Sequence, residues 1–403
     1  MFIVGIVLII IGVLALVPGV LNLVSISNTG FLFAAAATDT LVVSFVFFGT
    51  IALIAGILLL LSVRNGKARQ QIKKIIDMKE FTLIIVLAAV IYLFWAINHN
   101  YLSINGIRGI LNSGFIMSIL AVGIASLLIS GKIDLSTGNT GMLAGILIAF
   151  LLNSGLPWVP ALLIVFVFGA VTGLLNALFV NGMNFAPFIS TLAMSTIYGG
   201  IALIITNAAN IPINNKSFMR IGAANIWIFP APFFVAIILI IVYGIVMSST
   251  GFGRRAYMTG GNANAARLAG INPKKITTIL FINNGVIACL AGALMTSRMN
   301  MGSPSSVTGS DLDAITAVVL GGVAFTGGSG RMFGVFIGLI LISSFQTGLV
   351  MAGLNPYVQV IAKGLLLVAA LILDYYRENA RIKALAAVHK EELFASSLLH
   401  KLK

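Results

Sequence analysis

The sequence predicts an all-α, polytopic membrane protein: a helical bundle of about twelve spans with both termini in the cytoplasm. Three observations predict it. First, 59% of the 403 residues are hydrophobic and only 8% are charged, with a mean hydropathy of +1.10. Soluble domains carry about 25% charged and about 45–50% apolar residues. Second, apolar runs of about 15–24 residues recur along the chain, and about 20 residues cross the hydrocarbon core of a bilayer. Third, the cations fall on alternate loops, as the positive-inside rule requires. Together these exclude a soluble enzyme, a disordered chain and a nucleic-acid binder. The net charge of +14 then reads as loop asymmetry, with the membrane rather than nucleic acid as its partner.

The first run, 2–22, opens Met1-Phe2-Ile3 without a basic leader region. It reads as a retained membrane helix rather than a cleaved signal peptide. With the run 41–63 it forms an N-terminal pair, 1–63. The stretch 64–80 holds six Lys and Arg residues and reads as a basic cytoplasmic linker and domain boundary; an ordinary cytoplasmic loop is the alternative. The core, 81–375, contains runs at 81–98, 115–130, 138–152, 158–181, 188–206, 228–248, 279–297, 312–326, 331–349 and 357–375. Two of these, 138–152 and 312–326, are short enough to be half-helices or re-entrant segments, and are counted here as crossings. In the tail, 376–403, Ile382, Leu385, Val388, Leu393 and Leu399 are set among charged residues. That pattern suits an amphipathic helix on a membrane or a partner, and equally a solvated tail.

Charge tests this layout. With the N-terminus in the cytoplasm, 19 of the 24 Lys and Arg residues fall on cytoplasmic segments. Four fall opposite (Arg108, Lys216, Arg220 and Arg298), and Lys363 lies inside a span. The alternation holds over the whole chain, which favours an even number of spans.

Intramembrane chemistry is sparse. Asp134, Asp311, Asp313 and Asp374 fall at span ends, so the carboxylates that gradient-coupled transport and proton relays use at midplane are missing. No span carries His or Glu, which argues against a membrane hydrolase. The three histidines are scattered and Cys289 is the single cysteine, so neither a metal centre nor a disulfide is expected. The spans carry neutral polar residues instead. Asn176, Thr191, Asn283 and Asn284, with Phe188, are candidates for a translocation path, because amides and hydroxyls exchange hydrogen bonds with an uncharged hydroxylated solute. Helix–helix hydrogen bonding is the alternative use of the same groups. Gly169, Gly173 and Gly199-Gly200 read as close helix-packing positions.

The cytoplasmic loop 251–278 carries a local structure of its own. Asn262 is a good N-cap, Ala263 to Ala269 are mostly strong helix formers, Gly270 is a natural C′ residue and Pro273 blocks continuation. A capped helix of about two turns is too short to stand alone in water. Flanked by Arg254 and Arg255, it suits the docking of a soluble partner, or simply a capped surface loop.

Here the sequence resembles a known family. Gly253-Arg254-Arg255-Ala256-Tyr257, Gly260-Gly261-Asn262 and Ala265-Ala266-Arg267-Leu268-Ala269-Gly270-Ile271 are similar to the coupling-helix loop of permease subunits of bacterial ABC sugar importers of the ribose, xylose and galactose type. Gly131-Lys132-Ile133-Asp134-Leu135-Ser136-Thr137-Gly138 resembles that family's glycine–glycine–isoleucine–aspartate–leucine–serine signature. Pro187-Phe188-Ile189-Ser190-Thr191-Leu192 resembles its central span. Asp311-Leu312-Asp313-Ala314-Ile315, continuing to Gly321-Gly322 and Gly327-Gly328, resembles its C-terminal segment. The likeness covers roughly 80–375.

It implies a multi-pass permease of the bacterial cytoplasmic membrane that imports a neutral polar solute, a monosaccharide above all, by alternating access. The implied partners are ABC ATP-binding subunits, a second permease copy or paralogue, and an extracytoplasmic solute-binding protein. Arg254, Arg255, Tyr257, Gly261, Asn262, Ala266, Arg267 and Gly270 would couple to the ATPase, and Gly131, Asp134, Ser136 and Gly138 form a structural motif. The chain lacks Gly-x-x-x-x-Gly-Lys-Ser/Thr, so ATP and magnesium are expected on the partner and no cofactor or enzymatic activity in this chain. Two positions depart from the pattern: Lys132 replaces a glycine, and Ala263-Asn264 stands where many members carry an acidic residue. The helices at 2–22 and 41–63 exceed the usual family length. A nucleoside or branched-chain amino acid permease, or an ATP-independent secondary transporter, are the alternatives.

Overall fold

The computed structural model describes residues 79–375, except 308, 373 and 374. The expected helices at 2–22 and 41–63, the linker up to 78 and the tail 376–403 lie outside the described residues. Every apolar run expected in the core meets a helix: α1 (Lys79–Ile97), α2 (Ile104–Ile129), α3 (Thr137–Asn153), α4 (Trp158–Ala177, ending in a π turn, Leu178–Gly182), α5 (Pro187–Thr206), a short α6 (Lys216–Ala223), α7 (Ala231–Ser249), α8 (Gly251–Gly261), α9 (Ala263–Leu268), α10 (Pro273–Met299), α11 (Ser310–Leu320), α12 (Met332–Met351) and α13 (Pro356–Ile372). Among the described residues six helices, α2, α4, α5, α7, α10 and α12, are long and apolar enough to cross a membrane.

Three boundaries differ from expectation for identifiable reasons. α2 begins at Ile104 rather than 115. Asn105, Arg108, Asn112 and Ser113 dilute the hydropathy of its first turns without interrupting the helix. α10 likewise starts at Pro273, with the Asn272 side chain capping Lys275 N, six residues before its apolar run. α11 has only 11 residues. At 1.5 Å per residue it is about 16 Å long, half of a ~30 Å hydrocarbon core, so the crossing counted at 312–326 is a half-helix. The 17-residue α3 is the other short segment.

The chain divides into two units. In the first, α1 leads into a single 3-10 turn, His99–Leu102, capped by Asn98. Phe94 and Tyr101 pack ring to ring 5.7 Å apart, and Asn98 Nδ2 donates to Met351 O at 2.9 Å.

The second unit is the bundle proper, built around α10. α3, α4 and α6 pack along it through Ala144, Ile148, Val165, Phe218, Cys289 and Ala293. The Gly169 and Gly173 contacts are of the expected kind: an added Cβ on Gly169 would stand 2.6 Å from Gly285 O, and Gly173 abuts Phe281 O. Large apolar side chains remain exposed on α4 (Val167), α5 (Ile204) and α7 (Ile238), as on helices that face lipid. At one end of α10, Arg298 lies over the Phe115 ring, and near that end β1 (Ile211–Pro212) pairs with β4 (Met301–Gly302). A second two-residue pair, β2 (Asn225–Ile226) and β3 (Phe229–Pro230), lies by Arg108, whose Nη2 donates to Trp227 O. Lys274 and Lys275 occupy the opposite end of α10, so the two sets of cations are separated along its 27 residues.

Candidate functional site: a buried polar knot and an exposed platform

The α2–α3 connection does not remain at the surface. After Gly131 it turns back into the bundle and buries Asp134, which is 2% exposed. Its Oδ1 accepts from Ser136 N at 2.9 Å and Ser136 Oγ at 2.7 Å. Asn176 Nδ2 on α4 reaches both carboxylate oxygens, at 3.3 and 3.2 Å, and Asn284 Nδ2 on α10 donates to Oδ2 at 3.1 Å. The same amides tie down the start of α3: Asn176 to Ser136 Oγ at 2.7 Å, Asn284 to Thr137 Oγ1 at 2.8 Å. Thr191 on α5 accepts from Leu135 N at 3.1 Å. A carboxylate held by several donors tolerates burial that an isolated one does not. One short connection thereby fastens α3, α4, α5 and α10.

Gly138 on α3 meets the half-helix α11. A Cβ there would lie 2.9 Å from the Asp311 carboxyl carbon, so the absent side chain lets the N-termini of α3 and α11 approach inside the bundle. Two residues on, Asp313 pairs with Lys363 Nζ at 2.8 Å and accepts from Gln346 Nε2 at 2.7 Å. Asp311 and Asp313 thus stand in the first turn of α11, at the end of the run where the sequence placed them, and Lys363 balances the charge of Asp313.

Of the residues expected along a translocation path, Asn176, Asn284 and Thr191 have polar atoms committed to this knot. Asn283 accepts from the Tyr243 hydroxyl, its Nδ2 buried without a partner. Phe188 is half exposed on α5.

The second feature is the 251–278 loop. α8, absent from the sequence expectation, precedes the expected short helix and is capped by Thr250 on Gly253 N at 3.2 Å. α9 follows, with Asn262 Oδ1 accepting from Asn264 N and Ala265 N, each at 3.0 Å. Gly270 closes it at φ +78, the left-handed C′ conformation expected of it. Among residues 261–270 only Ala266 is buried; Arg267 is exposed, and Leu268 is 91% exposed. Arg254 and Arg255 are exposed as well, the Arg254 guanidinium donating to Ser249 O at 3.3 Å. Leu268, quoted in the motif but not singled out, is the apolar tip of this platform. Its signal in the sequence is a large aliphatic residue within a polar loop.

The platform is anchored at its base. Gly260 abuts Ile129 O at the end of α2, and its Cβ would stand 2.6 Å from Gly328 N; Gly328 N itself donates to Ile129 O at 2.8 Å. Gly261 lies against Gly328 on the same side. Tyr257 Oη donates to Gly330 O at 2.8 Å. Burial raises this phenol above its ordinary value, with Arg331 opposing, so it stays a donor. From Ile129 the chain runs through Gly131 to Asp134, linking platform to knot in five residues. Among the described residues no cluster of His, Cys, Asp and Glu could hold a metal ion.

The sequence model of the family described as "Branched-chain amino acid transport system / permease component" matches residues 106–371, from the start of α2 to the end of α13. The chain belongs to this permease family. It is 31% identical over 306 residues to the ribose import permease protein of Haemophilus influenzae, covering 75% of this chain and 94% of that one. It is 32% identical over 282 residues to the ribose import permease protein of Bacillus subtilis, covering 69% and 87%. It is 31% identical over 307 residues to the L-arabinose transport system permease protein of Escherichia coli, covering 74% and 91%. No solved structure matches the chain. As a multi-pass membrane permease, it places both the knot and the platform within the matched region.

Proposed function

We propose that this permease is the membrane subunit of an ATP-driven importer in the bacterial cytoplasmic membrane and carries a monosaccharide inward by alternating access. The observation that carries the reading is the platform. α9 is capped at both ends, projects an aliphatic tip and two flanking arginines, and is braced at Gly260 against the end of α2. A short rigid helix set this way transmits a push into the bundle, and the Ile129–Asp134 connection delivers it to α3, α4, α5 and α10 together. The relatives named for ribose and arabinose support a monosaccharide as cargo. A branched-chain amino acid is the second reading, favoured by the description of the family; its carboxylate and amine would each need a partner along the path.

On this reading two ATP-binding subunits dock against α9, a second permease copy completes the path, and a solute-binding protein delivers from outside. ATP and magnesium belong to the docking subunits, and both termini of this chain lie in the cytoplasm. Asn176, Asn284 and Thr191 frame the moving helices through Asp134, while Asn283 and Phe188 are our candidates for the path wall. The test is uptake by proteoliposomes holding the complex purified from its native host. ATP-dependent accumulation of a labelled pentose or hexose is expected. Accumulation driven by an ion gradient with no ATP-binding subunit present would overturn the reading.

A further inference from the structure

A polar cavity of about 380 Å³ opens beside α9, between the 130–132 turn, α8 and the first turn of α10. Lys132, Arg267 and Lys274 line it, and none of its lining residues is acidic. Lys274 Nζ has a neutral partner, Asn184 Oδ1 at 3.2 Å; among the described residues Lys132 and Arg267 have no ion-pair partner. Thr259, also on the lining, is 5% exposed, and its Oγ1 is buried without a hydrogen-bond partner. Orphaned buried hydroxyls are uncommon because each forfeits its hydration without a replacement hydrogen bond. Burial and the neighbouring Lys274 push the Lys132 ammonium below its ordinary value. Like charges gathered without a counter-charge repel one another, and an anion in the cavity relieves this.

Position indicates where that anion comes from. Asn262, Ala263 and Arg267 belong both to the cavity and to the platform, so a subunit seated on Leu268 also covers the cavity mouth. The cavity lining itself supplies no counter-charge to Lys132, Arg267 and Lys274, so a carboxylate on the covering subunit is the complement the cluster lacks. We propose that a carboxylate side chain of the docking ATP-binding subunit enters this cavity and forms ion pairs with Lys132 and Arg267. The inference rests on the coupling reading above and adds the charge that selects the partner. An ATP-binding subunit with a neutral or basic residue at that point would pair poorly with this permease.

The complex purified from its native host, treated with a water-soluble carbodiimide, tests the assignment. The reagent activates a carboxyl group, which acylates an adjacent amine with net loss of water, so only groups already in contact are joined. An isopeptide between Lys132 and an Asp or Glu of the ATP-binding subunit is expected. Lys132→Arg should abolish that product, and Lys132→Glu should lower the recovered ATP-binding subunit at least fivefold. If the subunit co-purifies in full with both variants and Lys132 forms no isopeptide with it, the proposal fails while the coupling reading stands. Protection of Lys132 from acetylation by inorganic phosphate or anionic vesicles, with no such isopeptide, would assign the cavity to a small anion or a lipid headgroup and likewise overturn it. If no ATP-binding subunit accompanies the chain at all, the coupling reading falls and the proposal with it.

Discussion

The Asp134 knot and the α9 platform solve the same problem in opposite ways. Each is a break in helical structure whose backbone and polar groups need partners. The knot lies inside the bundle, where water cannot supply them, so Asp134 collects its donors from Ser136, Asn176 and Asn284. The platform lies outside, and Asn262 satisfies its first amides locally. That leaves Arg254, Arg255, Arg267 and Leu268 free to meet something else. Polar residues that bond one another across helices hold those helices together; polar residues that leave their neighbours exposed offer a surface. Residue type alone does not separate the two uses, and the pattern of partners does.

The comparison breaks most heavily at the knot. Asp134→Ala takes one of two acceptors from the amide nitrogens of Asn176 and Asn284, which keep Ser136 Oγ and Thr137 Oγ1. It leaves the Ser136 N–H and O–H without theirs, at about 1–3 kcal/mol for each group left unpaired in a buried setting. Thermal unfolding in detergent should show a loss of several kcal/mol or failure to accumulate, with Asp134→Asn milder because it keeps the shape. Little change in either variant would deny the knot its structural role.

The platform should respond in the reverse sense. Leu268→Asp leaves an exposed position exposed and should not move the melting temperature. The ATP-binding subunit recovered with the tagged chain should fall about tenfold, equivalent to about 1.4 kcal/mol of docking energy. Full recovery would remove α9 from the interface.

How much of this was legible follows the same divide. The caps of α9 were readable because the Asn262 side chain bonds amides two and three residues on and Gly270 acts through its own left-handed backbone. The half-helix α11 was readable as the short apolar run at 312–326. Asp134 read as a span-end charge because its two helical partners, Asn176 and Asn284, lie 42 and 150 residues away, beyond any local window. α8 was missed because Gly251, Gly253, Gly260 and Gly261 lower its intrinsic propensity. What stabilises α8 is tertiary: Gly253, Ala256 and Thr259 are buried in a row along one face.

Smaller effects sharpen the account of α9 as a rigid lever. Asn262→Ala removes its cap at about 1 kcal/mol, and Gly270→Val strains the left-handed residue by about 1–2 kcal/mol. Both should loosen α9 in amide hydrogen exchange and raise the ATP hydrolysed per sugar imported, Gly270→Val by more. An unchanged ratio would mean that rigidity of α9 is not needed. The least expected effect concerns pH. Because burial and Lys274 lower the Lys132 pKa, its amine is neutral at a lower pH than an ordinary lysine. In the isolated chain, mapped by mass spectrometry, Lys132 acetylation should rise at a lower pH than that of an ordinary solvated lysine. Coincident profiles would contradict the crowded cation cluster.

The most direct test of the central claim, that the platform drives the knot through one junction, is to measure ATP hydrolysis and sugar uptake together in proteoliposomes carrying Gly260→Ala. A Cβ there collides with Ile129 O and crowds Gly328 without touching the exposed face of α9. Hydrolysis at close to the normal rate, with uptake reduced at least tenfold, is the expected result. Uptake and hydrolysis both at their normal values would mean that the force reaches the bundle by some other route.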